Sequence, residues 1–286
     1  MSAMLSIRRL TIDDLSWAMR LKTLAGWNQI EADWRRAIAL EPTGCFAGEW
    51  NGAPVATLTT CVFGPVAWIA MVLVDPEHRG RGIATSLMRH ALEYLAGRGI
   101  ASIRLDATSL GRPVYERLGF RVDRELIRYR GTPNGGELNS RPPKCEVRRI
   151  EPDDWESLAA LDSAATGTQR TRFLHALGDD GGGWTARDDD GTIRGFALTR
   201  AGSGGVQLGP VIATTEAAGS ELFRAVIIDL GGVSIVVDVG MDHILANQIC
   251  RQIGLTVERK FLRMTRGPSI NEASCAVWAS SGPEKG

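Results

Sequence analysis

The sequence predicts an α/β protein built from two copies of one unit, and two observations carry this prediction. First, a chain of 286 residues exceeds one typical domain, and its 44% apolar content is ample for two cores. Second, residues 6–14 (SIRRLTIDD) match residues 146–154 (EVRRIEPDD) at an offset of 140. Both segments are typical of a first strand followed by an acidic helix start.

The repeat continues towards the end of each half. Three further pairs of segments correspond: 103–106 (IRLD) with 235–238 (IVVD), 117–120 (RLGF) with 252–255 (QIGL), and 127–131 (IRYRG) with 263–267 (RMTRG). The segment between the halves has the composition of a linker. We therefore expect a first domain at 1–133, a linker at 134–144, a second domain at 145–267 and a tail at 268–286. The tail is expected to be mostly flexible, with Val277 and Trp278 packing back as a short strand.

The most informative local feature is the turn at residues 79–85 (RGRGIAT), between an apolar strand and an amphipathic helix. Glycine lets a backbone approach a ligand closely, and a helix N-terminus presents free N–H groups and favours negative charge. Arg79 and Arg81 add two positive charges there. The turn predicts a seat for a pyrophosphate, although its spacing is neither Walker A nor G-x-G-x-x-G. The alternative is an ordinary strand-to-helix turn with solvated arginines.

Two motifs together carry a family resemblance. Residues 79–84 read R-x-x-G-x-A after a strand ending in Val-Asp-Pro, and residues 115–120 read Y-x-x-x-G-F one helix and one strand later. Both resemble motifs of the GNAT superfamily of N-acetyltransferases. The resemblance implies, for each half, a mixed and mostly antiparallel sheet flanked by helices, with acetyl-CoA as co-substrate and no metal. The positions that match the family's cofactor contacts are Val72, Val74, Arg79, Gly80, Arg81, Gly82, Ile83, Ala84, Thr85 and Thr108.

The same resemblance suggests catalytic residues. The matching tyrosine is Tyr115, which would protonate the departing thiolate; the alternative is a packed aromatic of a helix. We assign the base that takes the amine proton to Asp106, whose alternative role is to cap a helix over 108–117. A less favoured mechanism has an acyl-cysteine intermediate on Cys45 or Cys61, which would need a nearby base.

The acceptor pocket is predicted from position in the fold. Trp27, Asn28 and Gln29 follow the first helix, where the substrate wall of this fold lies; equally, Asn28 or Gln29 could cap the helix over 30–40. Asp238, interpreted as the counterpart of Asp106, is a further candidate for substrate binding from the second half.

The second copy lacks the features that bind the cofactor. Its strand-to-helix junction at 213–219 (ATTEAAG) leads into a helix over 220–230 and has neither arginine nor paired glycines. Cys250 stands at the place of Tyr115. We therefore interpret the second half as a degenerate GNAT-like domain that does not bind acyl-CoA.

Charge and cysteine content limit the partners. A formal net charge of zero argues against nucleic acid or an anionic membrane as the main partner. Five cysteines without C-x-x-C spacing indicate reduced thiols in a cytoplasmic protein, without a zinc site, and no apolar run is long enough to span a membrane. A homodimer is compatible with the sequence.

The predicted function is transfer of an acetyl group from acetyl-CoA to an amine of a small molecule or protein, by direct attack in a ternary complex. One alternative is a non-catalytic acyl-CoA sensor. The other is a tandem-fold acyltransferase with an unusual donor or acceptor, as in mycothiol synthase, where the C-terminal half is the catalytic one. Here the intact motifs lie in the first half.

Overall fold

The computed structural model describes residues 4–134 and 143–285, so most of the predicted linker lies outside the described residues. Contacts divide these residues into two compact units. Unit 1 holds the chain up to Arg121, together with Met264–Ser269 and Lys285. Unit 2 holds the described part of Val122–Arg263, together with Ile270–Glu284. No helix in the described ranges is long and apolar enough to cross a lipid bilayer.

Unit 1 is a five-stranded sheet with helices on both faces. Its elements, in chain order, are β1 (Leu5–Arg9), α1 (Leu15–Leu24), α2 (Glu31–Leu40), β2 (Cys45–Trp50), β3 (Ala53–Phe63), β4 (Val66–Val74), α3 (Ile83–Gly97), β5 (Ser102–Ala107) and α4 (Arg112–Arg117). The strand order is β1-β2-β3-β4-β5, antiparallel except for the parallel pair β4–β5. Cys45 and Ala47 of β2 pack with α1 and α2, whereas Gly48 faces α3. This alternation is the period of a strand with two covered faces.

Unit 2 repeats the plan. Its elements are β6 (Arg121–Gly131), β7 (Glu146–Arg149), α5 (Trp155–Thr166), α6 (Thr171–Gly181), β8 (Gly183–Arg187), β9 (Ile193–Arg200), β10 (Val206–Ala213), α7 (Glu216–Leu230), β11 (Ile235–Gly240), α8 (Ile244–Gln252), β12 (Thr256–Arg266) and β13 (Val277–Ala279). The strand order is β12-β6-β11-β10-β9-β8-β7, and β13 pairs with β10. By its contacts β6 belongs to unit 2, although the sequence repeat makes it the last strand of the first copy. The predicted mixed, mostly antiparallel sheet is confirmed. The helix predicted over 220–230 begins four residues earlier, at Glu216.

The repeat is visible at the level of single hydrogen bonds. In unit 1, Nη1 and Nη2 of Arg8 each donate to Asp14 at 2.8 Å, and Asp14 also accepts the backbone N–H of the residue three positions before it. In unit 2 Arg148 and Asp154 repeat this arrangement, with an Nη2–Oδ1 distance of 3.1 Å. Burial alone would raise the pKa of Asp14, but the hydrogen bonds outweigh burial and hold that pKa well below its ordinary value. Asp14 therefore fixes the start of its first helix as a carboxylate, and Asp154 accepts the same backbone hydrogen bond in unit 2.

Both units also splay their parallel strand pair. In unit 1, β4 pairs with β5 only through Val66–Trp68 and Ser102–Arg104. In unit 2, β10 pairs with β11 only through residues 206–208 and 235–237. Beyond these three residue pairs the two parallel strands separate in both units, so the two copies share this feature.

The pairing registers correct one sequence equivalence. Val66 and Val206, which correspond at the offset of 140, pair with Ser102 and Ile235 respectively. Ser102 therefore corresponds to Ile235, so Asp238 takes the position of Leu105 and not that of Asp106. A shift of one residue along a strand turns a side chain to the opposite face of the sheet. The prediction that Asp238 is the counterpart of Asp106 is therefore wrong.

The end of the C-terminal tail, residues 277–285, is mostly buried, whereas the sequence predicted a mostly flexible tail. Trp278 has only 2% of its surface exposed, and the short strand expected at Val277 and Trp278 is present as β13. The tail beyond β13 is also buried, and Glu284 forms an ion pair with the buried Arg200. The tail's small and polar residues suggested a mobile segment, but backbone pairing with β10, the Glu284 ion pair and the burial of Trp278 hold it against unit 2.

Candidate active site

The turn that follows β4 begins with a capped turn of 3-10 helix. Pro76–His78 forms one turn of 3-10 helix, whose cap is Asp75, a buried residue. Its Oδ1 accepts the backbone N–H of Glu77 at 3.0 Å, and its Oδ2 accepts Nη2 of Arg20 at 2.7 Å. The role of Asp75 was not predicted from the sequence, although an Asp-Pro pair is a common turn signal.

The rest of the turn presents a row of free backbone donors. Gly80 and Gly82 have φ values of 76° and 77°, in the left-handed region that glycine adopts readily, and nothing lies within 4 Å of where their Cβ atoms would be. The first backbone N–H of α3 that meets a carbonyl is that of Ser86, which donates to Gly82 O at 3.0 Å. In residues 4–134 and 143–285, the backbone N–H groups of residues 80–85 have no acceptor. Six open donors at a helix N-terminus form an anion cradle.

The two arginines of the turn remain at the surface beside this cradle. Arg79 donates through Nε to Val74 O at 3.2 Å, and Arg81 donates through Nη2 to Glu77 O at 3.3 Å. The Arg81 guanidinium also lies 5.3 Å from the centre of the Trp50 ring. Each arginine therefore leaves most of its donors available to an anion.

A bulge in β4 opens the edge that leads away from the cradle. Met71 has a φ of 50°, an uncommon value for a residue with a side chain, and its carbonyl accepts the Thr57 hydroxyl at 2.7 Å. The register of β3 against β4 shifts at this point. After Trp68, β4 has no strand partner on its β5 side within the described residues. The backbone around Val72 and Val74 is therefore an open strand edge, which an extended ligand can pair with.

Tyr115 lies on α4, close to the backbone that precedes that helix. Its ring is buried, packs edge-on against Phe120 at a centroid distance of 6.1 Å, and covers Gly111 so closely that a Cβ there would overlap the ring. Its hydroxyl makes no hydrogen bond in the described part of the chain. Burial raises the pKa of Tyr115 above its ordinary value of about 10. The phenol therefore keeps its proton at neutral pH and can act as an acid.

Thr108 forms the turn that leads into α4. Its carbonyl accepts the backbone N–H groups of Gly111 and Arg112, at 3.1 and 3.0 Å. Its hydroxyl also faces the Gly111 N–H, at 3.4 Å. The helix predicted over 108–117 is thus shorter than expected, because residues 108–111 form this turn and α4 begins at Arg112. The cofactor contact assigned to Thr108 stays a prediction.

Asp106 lies near the end of β5 and is half-buried. Strand alternation places it on the face of Arg104 and opposite Leu105. The N-cap residue of α4 is Gly111, and the alternative role of Asp106 as a cap of this helix stays a prediction. The role of Asp106 as a base stays a prediction.

The segment predicted to line the acceptor pocket is only partly accessible. Asn28 and Gln29 are each 1% exposed, so Trp27, which is half-buried, offers most of the surface there. Neither Asn28 nor Gln29 caps the second helix. Its cap is Ile30, whose backbone N–H donates to the Asp33 carboxylate at 2.8 Å.

Asp238 lies inside unit 2. Its two carboxylate oxygens accept Nε and Nη2 of Arg128, each at 2.7 Å, and the side chain is buried. Such an arrangement is that of a structural ion pair, since a buried carboxylate needs a partner of this kind. The structure gives no support to the acceptor-binding role predicted for it.

The cysteine mechanism finds no support in the environment of its nucleophiles. Cys45 and Cys61 are both buried, and burial raises the pKa of Cys45 to about 12. A thiol in that state holds its proton and is a poor nucleophile. In unit 2, the backbone carbonyl of Cys250 accepts the backbone N–H of Leu255 at 2.9 Å, as the backbone carbonyl of Tyr115 accepts that of Phe120 at 3.1 Å. Cys250 therefore occupies the place of the tyrosine, as predicted.

Comparison with known proteins agrees with this geometry. Residues 10–120 match the model of the acetyltransferase (GNAT) family, and residues 158–279 match that of an acetyltransferase (GNAT) domain. An uncharacterized N-acetyltransferase of Bacillus subtilis, YitH, is 24% identical over 213 residues, which are 73% of each chain.

Two solved structures share the whole fold. A presumed acetyltransferase from Pyrococcus horikoshii has a TM-score of 0.85 at 21% identity, over 99% of this chain and 96% of that one. A tandem GNAT protein from the clavulanic acid biosynthesis pathway has a TM-score of 0.67 at 16% identity, over 93% and 100%. With a GNAT match in each half and this fold, the chain belongs to the tandem GNAT acetyltransferases.

Proposed function

We propose that unit 1 transfers an acetyl group from acetyl-CoA to the amine of a small molecule or protein. The observation that carries this proposal is the row of six open backbone N–H groups at residues 80–85, next to the open edge of β4. A pyrophosphate fits such a row because it is an anion with several acceptor oxygens. The two glycines leave the space that its approach needs.

The residues present fit acetyl-CoA along its length. The backbone of residues 80–85, with Arg79 and Arg81, would hold its pyrophosphate, and the open edge near Val72 and Val74 would pair with its extended arm. When bound, acetyl-CoA supplies an acyl group already activated as a thioester. The remaining chemistry is proton transfer, which falls to side chains of this unit.

Two side chains are assigned to these transfers. Tyr115 holds a proton at neutral pH because its burial disfavours the phenolate, and it gives that proton to the thiolate as the carbon–sulfur bond breaks. An alkylamine is protonated at pH 7, so a base must remove a proton before the amine attacks. We assign this step to Asp106, directly or through a water molecule. The attacking nitrogen gives up its second proton as the amide forms, and this proton restores the phenol of Tyr115. Direct attack then needs both substrates bound together.

The proposal is tested by release of CoA thiol from acetyl-CoA in the presence of a panel of amines. We expect release that saturates with at least one amine and stops without it. Asp106→Asn keeps the shape of the side chain, so it lowers kcat if the carboxylate takes the proton. Saturable binding of acetyl-CoA without any amine-dependent release would favour the sensor, and failure to bind acetyl-CoA would overturn the proposal.

A further inference from the structure

The splayed strand pair of unit 2 is occupied by the chain itself. One edge of β10 pairs with β9 along its length. The other edge pairs with β11 only up to Leu208, and β13 lies on that edge beyond this point. There β13 pairs antiparallel with β10, with Val211 opposite Ala279. Next to it, the backbone N–H of Ser280 donates to the carbonyl of Asp238 on β11, at 2.8 Å. The tail therefore runs between the two parallel strands of this unit.

The corresponding place in unit 1 is the open edge of β4 after Trp68. The offset of 140 residues that aligns Val66 with Val206 gives this correspondence, since both pairings last for three residues. We propose that the segment 274–281 fills, in unit 2, the cleft that takes the extended arm of acyl-CoA in unit 1. This inference rests on the proposed function of unit 1 only for the identity of the ligand that the segment replaces.

Two glycines of unit 2 fit this segment. A Cβ at Gly209 would overlap the carbonyl oxygen of Ser280, and a Cβ at Gly219 would overlap the ring of Trp278. At the offset of 140, Gly209 aligns with Ile69 on β4. The helices α3 and α7 are each 15 residues long, and matching their first residues aligns Gly219 with Ser86. Both Ile69 and Ser86 have side chains. The second copy thus has the room that its own tail needs.

The segment is anchored by its aromatic residue. The Trp278 ring lies 4.6 Å from the His243 ring and 6.4 Å from the Phe223 ring, measured between centroids. Nε2 of His243 lies 3.1 Å from the carbonyl oxygen of Cys275, which fixes the approach to β13. A cavity of about 360 Å³ remains beside the segment, lined by residues that include Thr215, His243 and Trp278. The segment is therefore held by unit 2 at its backbone and at one side chain.

The test uses Gly219→Ala in the full chain, alone and combined with Trp278→Ala. Alanine is a better helix former than glycine, so without the tail this substitution in α7 should raise the melting temperature. With Trp278 against the helix we expect a lower melting temperature, and with Trp278→Ala we expect the sign to reverse. Ala217→Ser, also in α7, is the control, with little change expected in either background. A rise for Gly219→Ala in both backgrounds would overturn the proposal.

Two readouts keep the test independent of folding defects and of the proposed activity. In the unmodified chain, hydrogen exchange at the Ser280 amide should be at least about 100-fold slower than in a free peptide, because its N–H is bonded to β11. Exchange at the free-peptide rate would overturn the proposal. Calorimetric titration with acetyl-CoA should give one site per chain. Two sites would contradict the filled cleft, whereas none would contradict the function of unit 1 and leave the melting and exchange results to decide this inference.

Discussion

Tyr115→Phe is expected to lower kcat about 100-fold, or about 2.7 kcal/mol of transition-state stabilisation, while the Kd of acetyl-CoA stays unchanged. The substitution removes only the hydroxyl, and that hydroxyl makes no hydrogen bond that holds the fold in the described part of the chain. The ring stays packed against Phe120 and over Gly111. Stopped-flow or steady-state thiol release gives kcat, and calorimetry gives Kd.

The pH dependence follows from the direction of the pKa shift. Because burial raises the pKa of Tyr115 above about 10, the proton is present below that pH and is lost only above it. The rate of the unmodified enzyme should therefore rise with pH as the acceptor amine loses its proton, without a fall before about pH 10. Tyr94→Phe is the control. Tyr94 lies on α3, and its hydroxyl donates to the Glu41 carboxylate at 2.8 Å. An equal loss in both variants, or a decline of the rate below pH 9, would contradict the role of Tyr115.

Gly82→Asp is expected to weaken acetyl-CoA binding at least about 100-fold. The new carboxylate would stand in the open space in front of the donors at residues 80–85, where it repels the pyrophosphate and blocks its approach. The left-handed φ of 77° adds strain for any residue with a Cβ. Calorimetric titration of the variant with acetyl-CoA measures the loss.

Gly99→Asp separates the charge at the cradle from the cost of backbone strain. Gly99 has a similar φ of 73° and equally open surroundings, but it follows the opposite end of α3. We expect Gly99→Asp to lower the melting temperature as Gly82→Asp does and to keep the affinity for acetyl-CoA. Equal affinity losses in both variants would show that the cradle does not hold the pyrophosphate.

Local sequence patterns were sufficient to predict the open turn after β4, whereas the role of Tyr115 as an acid comes from the family resemblance and stays a prediction. Positive φ at Gly80 and Gly82 and a buried Tyr115 are properties of short segments, and the residues at those positions favour them. The bulge at Met71 has no such signal, because it arises from the register of β4 against β3. The open strand edge could therefore be expected only from the family resemblance.

The errors concern residues whose environment depends on distant parts of the chain. Asp238 was aligned by a similar tetrapeptide, but strand pairing shifts that alignment by one residue and a buried Arg128 neutralises its carboxylate. Asn28 and Gln29 are polar and follow a glycine, which is typical of surface, yet the fold buries them. Trp278 determines the place of the tail through contacts with helices that lie far from it in sequence.

We propose that only one of the two similar units holds acyl-CoA, by the backbone amides after β4. Backbone amide NMR during an acetyl-CoA titration tests it most directly. We expect saturable shifts at residues 80–85 and no shifts at residues 213–219, the corresponding junction of unit 2. Saturable shifts at residues 213–219, or binding that leaves the amides of residues 80–85 unmoved, would contradict it.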